Sequence, residues 1–456
     1  MTISPCRLFR KDIIDFKVKT TKGYRRYINL DNAATTPPLK YVEETVSKYM
    51  ESYGSVHRGS GYKSKKSTDV YEKSRDIIKD FVNAPKDDYV IFTGNTTGGM
   101  NTAAYFFAQL KGKVMVSAIE HSSSWLPWIK SEGLKLLGKQ QYQLNEIEEI
   151  NEKIQKLGLS QVLRYHINKK FEFDLKDIEK QLQDNQIKVL VLTASSNLTG
   201  YCPDIKKIGK LAHKYGAYFL VDACQFIQHH PIDMQKMEID FLVASGHKFY
   251  APYGGGFLIG PKKFLDCFLP YQIGGGNLPY IEENGHFIRY YNQMAHDPGT
   301  PNAIGAVSMA AALKKLASIG IKNIESYEKS LVDYVYDELE KLPNVQLYVR
   351  KKQLSSIITF NIKGLTAQQT ADILNKKYGI GTRAGNFCVY QVVRTLLGIQ
   401  DETKLIELVN SGQANKLPGV VRASFSLQNT MQDAKEFVKA IKEILNNQIK
   451  KVEHDI

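Results

Sequence analysis

Three successive apolar runs in the middle of the sequence each end in side chains that can do acid–base or hydrogen-bonding chemistry. The residues that follow these runs are Asn197, Asp222, Ser245, His247 and Lys248. Asn197 and Asp222 are 25 residues apart and Asp222 and Lys248 are 26 apart, about the length of one strand–crossover–strand unit. Because open α/β sheets bind ligands beyond the carboxyl ends of their strands, we expect these side chains to gather at one edge of a sheet.

If Lys248 forms a Schiff base with an aldehyde cofactor, the set meets the needs of pyridoxal phosphate. Asp222 would lie beside the pyridine nitrogen, His121 would cover the ring, and Gln225 would bond the phenolic oxygen. The candidates for a phosphate cup are the helix start Thr96-Thr97 with Ser245 and His247. Each residue alone has a plainer interpretation, since lysines are common on surfaces and Asp and Thr commonly cap helices.

The elements that must position these residues follow an α/β pattern, in which short apolar runs alternate with helical periodicity. The runs predict strands over 89–93, 114–117, 188–193, 218–221, 240–244 and 254–260. A helix is predicted over 204–215, and another over 139–157 with Leu144, Ile147, Ile150, Ile154 and Leu157 on one stripe, which we interpret as a packing face rather than a partner site. From Asn302 onward the helices, a strand over 355–362 and a terminal helix over 431–445 predict a second, smaller domain.

Length and composition exclude several classes of protein. The chain has 456 residues, of which 43% are hydrophobic and 24% charged, so disordered, collagen-like and disulfide-framework proteins are excluded. Its five cysteines are scattered, with no C-x-x-C and no zinc-like spacing, which predicts no metal site and a reducing compartment. No apolar run approaches a membrane span and the N-terminus lacks a secretory pattern, while Asp12 and Asp15 argue against an organelle presequence. We therefore expect a cytoplasmic protein.

The net charge of +14, from 61 basic and 47 acidic residues, has two interpretations. It would suit nucleic acid or a membrane surface. We favour lysines spread over a solvated surface, with no nucleic-acid or membrane partner, because the basic residues are distributed along the chain and the densest segment, Arg7–Arg26, also contains Asp12 and Asp15.

The segment Ser245-Gly-His-Lys248-Phe-Tyr-Ala-Pro-Tyr-Gly resembles the Schiff-base lysine motif of the class V aminotransferase family. The pattern is most similar to that of group II cysteine desulfurases and selenocysteine lyases. Further motifs match in order from about Asn29 to the C-terminal helix: Val56-His-Arg-Gly59, Thr96-Thr97, Glu120-His121, Ser196-Asn197 with Gly200, Val221-Asp-Ala-Cys-Gln225, Gly274-Gly-Gly276, Gly299-Thr-Pro-Asn302 and Arg422-Ala-Ser.

This resemblance implies a fold-type I pyridoxal-phosphate-dependent transferase, an α/β protein with a mixed, mostly parallel sheet in a large cofactor domain (27–300) and a smaller α+β domain (1–26 plus 301–456). It implies that Lys248 carries the cofactor and acts as the general base, with Asp222 on the pyridinium and Gln225 and Asn197 near the phenolic oxygen. The phosphate would be held by Thr96, Thr97, Ser245 and His247. Thr300 resembles a threonine that reaches the phosphate of the other subunit, which implies a homodimer.

For the substrate, the resemblance implies that Arg422 grips the carboxylate of a small amino acid, with Arg58 and Arg383 also in the binding site. Catalysis would depend on Lys248, on the ring-stacking His121 and on Cys388. Taken singly, each of these residues has a plainer interpretation that would be favoured: a surface ion pair for Arg422 and a turn cap for Thr300.

Cys388 determines which reaction is predicted. Arg383-Ala-Gly-Asn-Phe-Cys388 stands where desulfurases carry Arg-x-Gly-His-His-Cys, so Cys388 would attack the substrate sulfur as a thiolate, with Arg383 lowering its pKa. Alanine would leave, and a persulfide would remain for a sulfur-acceptor protein. Because Asn386 and Phe387 replace the two histidines, three alternatives stay open beside a cysteine desulfurase of sulfur metabolism. They are a class V aminotransferase and a C–S lyase, in neither of which Cys388 is a nucleophile, and a basic binding protein with an inactive cofactor site.

Overall fold

The computed structural model describes residues 16–138, 143, 146–168, 171–353 and 355–454. The chain folds as two compact units: a larger unit of Pro38–Ala194 with Pro203–Ser318, and a smaller unit of the residues up to Pro37, Ser195–Cys202 and the residues from Ile319. The chain therefore passes between the units four times. The domain boundaries predicted from the sequence, 27–300 against 1–26 with 301–456, differ from this division at 27–37, 195–202 and 301–318.

The strands carry the labels β1 to β17 in chain order. They are β1 (Lys17–Thr20), β2 (Gly23–Arg26), β3 (Ile28–Asn29), β4 (Tyr89–Thr93), β5 (Lys113–Ser117), β6 (Val162–Tyr165), β7 (Ile187–Thr193), β8 (Tyr218–Asp222), β9 (Phe241–Ser245), β10 (Gly256–Gly260), β11 (Tyr280–Ile281), β12 (Phe287–Ile288), β13 (Val345–Leu347), β14 (Ile357–Ile362), β15 (Ile380–Gly381), β16 (Arg383–Gly385) and β17 (Val420–Ser424).

The helices are α1 (Lys40–Glu51), α2 (Tyr62–Val82), α3 (Thr96–Ala108), α4 (Ser122–Leu137), α5 (Ile147–Leu159), α6 (Leu175–Asp184), α7 (Ile205–Lys214), α8 (Lys262–Leu265), α9 (Ala303–Ile319), α10 (Ile321–Glu340), α11 (Ala367–Ile373), α12 (Tyr390–Leu397), α13 (Thr403–Asn410) and α14 (Met431–His454). Within the described ranges, no helix by itself has both the length and the apolar composition to cross a membrane, although the bent pair α9–α10 has both when its two helices are taken together.

The larger unit is built around a seven-stranded sheet with the order β4-β10-β9-β8-β7-β5-β6. Strand β10 runs antiparallel to both of its neighbours, and the remaining pairs are parallel. All seven residues of β7 are buried, as expected for a central parallel strand covered on both faces. The mixed, mostly parallel sheet is thus confirmed, and six of its seven strands lie at predicted runs, whereas β6 was not predicted.

The predicted helix over 139–157 is corrected by the structure. The described helix, α5, begins at Ile147 and ends at Leu159, while residues 139–142 and Leu144 lie outside the described residues. A Cβ on Gly158 would lie 1.9 Å from the carbonyl oxygen of Ile129 in α4, so the two helices touch through their backbones. Ile150 is buried in this region, which supports the interpretation of the stripe as a packing face.

Helix α9 explains why 301–318 belongs to the larger unit. Its residues Ala303, Ala306 and Val307 form a buried cluster with Tyr49 and Tyr71 of α1 and α2. The helical pattern after Asn302 is as predicted, but periodicity alone does not tell which core a helix joins.

The smaller unit has an antiparallel sheet with the order β13-β14-β17-β16. Its core includes Leu331 of α10, Phe360 of β14 and Phe437 of α14, in agreement with the predicted α+β domain. Strand β3 pairs in parallel with β15, which binds the N-terminal part of the chain to this unit. Of the basic segment Arg7–Arg26, the part before Phe16 lies outside the described residues.

Candidate active site

Lys248 lies in a 3₁₀ turn, Gly246–Lys248, directly after the buried strand β9. The turn is fixed by the Gly246 N–H, which donates to Gly255 O at 2.8 Å, and by the Ala251 N–H, which donates to Gly246 O at 2.9 Å. Strand β8 lies beside β9 and ends at Asp222, which pairs with Val243. The larger unit therefore brings the ends of β8 and β9 together at one sheet edge, as predicted.

Asp222 is a buried carboxylate, 4% exposed, with two donors. Its Oδ1 accepts the N–H of Cys224 at 2.9 Å, and its Oδ2 accepts the Ser124 hydroxyl. These two bonds fix the carboxylate at the end of β8. The arrangement suits an acid that must keep a pyridine nitrogen protonated.

His121 is the N-cap of α4, and its Nδ1 accepts the N–H of Ser123 at 3.2 Å. An accepting Nδ1 places the proton of the neutral ring on Nε2. The preceding residue, Glu120, is buried, and its Oε1 accepts the Ser117 hydroxyl at 2.5 Å and the Thr193 N–H at 2.6 Å. Burial raises the pKa of Glu120 to about 8. This carboxyl group ties the ends of β5 and β7 together and so holds the segment that carries His121.

The predicted phosphate-binding side chains lie on several elements of the larger unit. At the start of α3, Asn95 caps the helix by accepting the Gly98 N–H at 2.9 Å. The Thr97 hydroxyl lies 2.8 Å from that of Ser123, whereas the Thr96 hydroxyl donates to Cys224 Sγ at 3.2 Å. Both threonine hydroxyls of the predicted cup therefore already have a partner within the protein.

Ser245 and His247 fit an anion. The Ser245 Oγ is buried and has no hydrogen-bond partner among the residues that the structure describes. Burial, followed by the nearby charge of Lys248, lowers the pKa of His247 to about 4, so this ring is neutral at pH 7 and can donate one N–H. A buried hydroxyl without a partner is what a phosphate oxygen would satisfy, so these residues fit the predicted cofactor. Gln225 is also buried, at 4% exposure.

Arg58 contacts backbone in the structure. Its guanidinium donates to Gly275 O at 3.0 Å and to Gly299 O, and so joins two glycine-rich loops. Thr300, which follows Gly299, is exposed. The substrate contact predicted for Arg58 stays a prediction, and the loops that Arg58 joins include the one that carries Thr300.

A carboxylate cluster lies behind these loops. Ligand atoms of His57, Glu72 and Asp297 lie within 4.8 Å of one another. The fully buried Arg75 forms ion pairs with both carboxylates, and Tyr71 donates to Asp297 at 3.0 Å. The guanidinium supplies the positive charge that these carboxylates need, and the sequence predicted no metal site.

In the smaller unit, Arg422 of β17 is 2% exposed. Its Nη1 donates to Asn197 O and its Nη2 to Asp31 Oδ1, each at 2.8 Å. Burial lowers the pKa of Arg422 to about 10, and Asp31 opposes this shift. In register, Arg422 lies between Thr359 of β14 and Arg383 of β16, so the three side chains share one face of the sheet.

The segment Ser195–Cys202 is bound to this face. Thr359 donates its hydroxyl to Leu198 O, next to the Asn197 carbonyl that Arg422 binds. Gly200 has a φ of +69°, and a Cβ there would lie 3.3 Å from the Ser355 backbone nitrogen, so a larger residue would be both strained and crowded. This packing places Asn197 beside Arg422.

Cys388 is exposed and follows a residue that contacts Arg422 directly. The Phe387 ring centroid lies 4.7 Å from the Arg422 guanidinium, and the Asn197 side chain donates to Phe387 O at 2.9 Å. Phe387 and Cys388 have φ values of 54° and 57°, a left-handed turn that is uncommon for residues other than glycine. Arg383 is also exposed. Asn197, Arg422 and Phe387 thus fix the backbone next to the thiol.

Three residues that contact the candidate site were missed from the sequence: Ser124, Cys224 and Asp31. Asp31 follows the strand β3, so the rule that singled out Asn197 and Asp222, a polar residue at the end of an apolar run, could have found it. Ser124 and Cys224 carry no such signal. Ser124 is distant in sequence from Asp222, to which it donates, and Cys224 donates to Asp222 through its backbone N–H, which the residue type does not reveal.

Comparisons with known proteins agree on one family. The Aminotransferase class-V profile matches residues 28–437. The chain is 30% identical to the cysteine desulfurase CsdA of Escherichia coli, over 91% of this chain and 93% of that protein, and 31% identical to a probable cysteine desulfurase of Pyrococcus abyssi, over 92% and 94%. Among solved structures, an apo cysteine desulfurase of Thermococcus onnurineus matches with a TM-score of 0.77 and 29% identity, over 92% of this chain and 95% of that chain. CsdA of E. coli in its S-sulfonic acid form matches with 0.77 and 26%, over 98% and 99%.

Proposed function

The chain belongs to the class V aminotransferase family, and we propose that it is a pyridoxal-phosphate-dependent cysteine desulfurase that converts L-cysteine to L-alanine and keeps the sulfur as a persulfide on Cys388. The observation that carries this proposal is the exposed thiol of Cys388, next to the ring that covers the Arg422 guanidinium. The names of the relatives support the same reaction.

The larger unit supplies the residues for the cofactor. Lys248 would bind its aldehyde carbon and later move a proton on the substrate, and Asp222 would hold the pyridine nitrogen protonated. Its phosphate would meet Thr97, Ser245 and His247, and His121 would cover its ring. When bound, pyridoxal phosphate supplies an electron sink for bonds at the amino acid's carbons.

The smaller unit supplies the residues for the substrate. Arg422 presents a planar guanidinium that can bind the α-carboxylate in a bidentate manner, with Asn197 and Arg383 nearby. The Cys388 thiolate then attacks the sulfur of bound cysteine. A sulfur–sulfur bond forms as the carbon–sulfur bond breaks, the electron pair stays with the carbon, and protonation there releases L-alanine.

We further propose a homodimer in the cytoplasm, in which Thr300 reaches the phosphate of the partner subunit. Around the hairpin β11–β12, apolar side chains are 50–65% exposed, which supports burial against a second copy: Tyr280, Ile281, Ile288 and Tyr291. A sulfur-acceptor protein would remove the persulfide sulfur. Neither nucleic acid nor a membrane is expected as a partner.

The test is incubation of the holoenzyme with L-cysteine and a reducing thiol, with alanine and sulfide measured together. We expect equal amounts of both from the wild type and from Cys267→Ser, a matched change at another exposed cysteine. Cys388→Ser should keep the absorbance of the bound cofactor at about 420 nm and lose sulfide production. Lys248→Ala should lose both.

Other outcomes would contradict the proposal in distinct ways. Pyruvate and ammonia with sulfide would indicate a β-eliminating C–S lyase. Full activity of Cys388→Ser would remove the persulfide step. A protein that takes up no pyridoxal phosphate would remove the cofactor.

A further inference from the structure

We propose that Asp31 is a positioning residue for substrate binding, which holds the Arg422 guanidinium in the orientation that receives the α-carboxylate. This inference rests on the proposed function, in which Arg422 binds that carboxylate. It starts from one ion pair inside the smaller unit, between Arg422 Nη2 and Asp31 Oδ1 at 2.8 Å.

The position of Asp31 is fixed by its neighbours on both sides. Before it, the Leu30 N–H donates to Gly381 O at 2.8 Å and the Leu30 carbonyl accepts the Ser424 N–H at 2.7 Å. After it, the Asn32 side chain donates to Ser424 O at 2.8 Å and the Ala33 N–H donates to Ser424 Oγ at 2.9 Å. The segment is therefore anchored to β15 and to the end of β17, two residues beyond Arg422, so the carboxylate cannot move away without breaking backbone pairing.

The guanidinium is held on three sides. Asn197 O accepts from Nη1, Asp31 accepts from Nη2, and the Phe387 ring covers its face. Asn197 and Phe387 are neutral, so Asp31 is the counter-charge among these three contacts. A cation that is 98% buried is strongly destabilised without one.

Donors for a ligand remain on the same group. The Arg422 Nε is buried and has no hydrogen-bond partner within the described ranges, and each terminal nitrogen keeps a further N–H. The side chain of Asp31 is 30% exposed, so water still solvates it while it holds the buried arginine. Asp31 can thus keep the fork oriented before the substrate arrives and leave N–H groups for the incoming carboxylate.

The experiment measures the dissociation constant of L-alanine, the unreactive product, from the holoenzyme through the absorbance change of the bound cofactor. For Asp31→Asn we expect this constant to rise about tenfold, because a charge-assisted bond becomes a neutral one. The KM for L-cysteine should rise with it, and kcat should stay within about twofold. Asp31→Glu keeps the charge and should recover part of the affinity.

Two controls separate positioning from a general structural effect. Cysteamine has the amine and the thiol of cysteine but no carboxylate, so its affinity should be the same in Asp31→Asn and in the wild type. Asp333→Asn removes another ion pair in the same unit, that of Lys329 and Asp333, with the same 2.8 Å distance and an aspartate 29% exposed, but with an exposed cation. It should leave the alanine constant unchanged.

Three results for Asp31→Asn would overturn the proposal. The first is an unchanged dissociation constant for alanine, and the second is tighter alanine binding, which would make Asp31 a competitor of the substrate. The third is a loss of cysteamine affinity as large as the loss of alanine affinity. Should Asp31→Asn fail to fold, Asp31→Glu is measured against the same criteria. A wild type that shows no cofactor absorbance or no response to alanine would refute the proposed function instead, before any variant is compared.

Discussion

Phe387 stands where the desulfurase pattern has a histidine, and its ring lies against the Arg422 guanidinium. A histidine at this position could be charged, and it would then repel the arginine. A phenyl ring attracts the cation through its quadrupole and excludes water from one face of it. The phenyl ring thus suits the carboxylate-binding role that we propose for Arg422, whereas from the sequence alone this departure left the reaction open.

We expect Phe387→Leu to raise the KM for L-cysteine by roughly threefold to tenfold, because it keeps an apolar side chain and removes an attraction of about 1 kcal/mol. Steady-state kinetics measure the change, with Phe387→Tyr as the control that keeps the ring. If the two variants have the same KM, the ring does not act on Arg422.

The position of a polar residue was predictable where an apolar run ends in one, as with Asp222 at the end of β8 and Lys248 in the turn after β9. A contact was not predictable where the partner is distant in sequence. Asp31 and Arg422 are separated by 391 residues, and nothing in either segment specifies the other. The bond from Arg58 to two loop carbonyls was missed for a different reason, since an arginine in a motif does not reveal whether it faces a ligand or the backbone.

Among the elements, helix α2 is joined to the loop before Thr300 by the buried pair of Arg75 and Asp297. Asp297→Asn should lower the free energy of unfolding by about 3 kcal/mol, because it leaves a buried guanidinium with less counter-charge. Urea unfolding measures this loss. The control is Asp76→Asn on the same helix. The side chain of Asp76 is 70% exposed and its partner Lys79 lies 3.5 Å away, so this change should alter the free energy of unfolding by less than about 0.5 kcal/mol. Equal losses of unfolding free energy in the two variants would mean that the buried pair contributes no more to stability than the exposed pair.

The short turn Gln293–His296 gives a prediction about pH. Burial lowers the pKa of His296 from 6.5 to about 4. Between these values the unfolded chain binds a proton that the folded protein does not, so the stabilisation is complete above pH 6.5 and is lost as the pH falls towards 4. His247 acts in the same direction.

His296→Phe should therefore flatten the decline of unfolding free energy between pH 6.5 and 4, since the ring would pack beside Tyr89 and Phe106 without titrating. Urea unfolding across this pH range gives the slope. His286→Phe, at an exposed histidine, is the control. A slope that is the same in His296→Phe and in the wild type would contradict the assignment.

The elements themselves were largely predictable, because hydrophobic periodicity reports burial. The apolar run over 188–193 forms β7, and the helix predicted over 204–215 corresponds to α7, with Asp204 as its N-cap. Membership of the two units was less predictable. Residues 195–202 directly continue β7 yet belong to the smaller unit, through hydrogen bonds that only the folded sheet provides.

For the whole molecule, the proposed dimer predicts complementation between two inactive variants. If Thr300 serves the site of its partner, Lys248→Ala mixed with Thr300→Ala gives a heterodimer with one complete site, built from the lysine of one protomer and the threonine of the other. Refolding the two together should restore up to about a quarter of the wild-type activity, since about half of random dimers are mixed and each has one intact site of two. Activity no greater than the sum of the separate variants would show that Thr300 serves its own protomer.

The parallel pair of β3 and β15 also has a consequence for how the protein is made. Residues 28–29 find their partners at 380–381, about 350 residues later in the chain. At a synthesis rate of about 5–20 residues per second, the N-terminal segment waits roughly 20–70 s on the ribosome before its pairing strand exists. During this time Ile28 and Leu30, both buried in the finished fold, lack the partners that cover them. The larger unit ends at Ser318, before both β15 and the strand that carries Arg422 are made, and it can therefore fold before the smaller unit is complete.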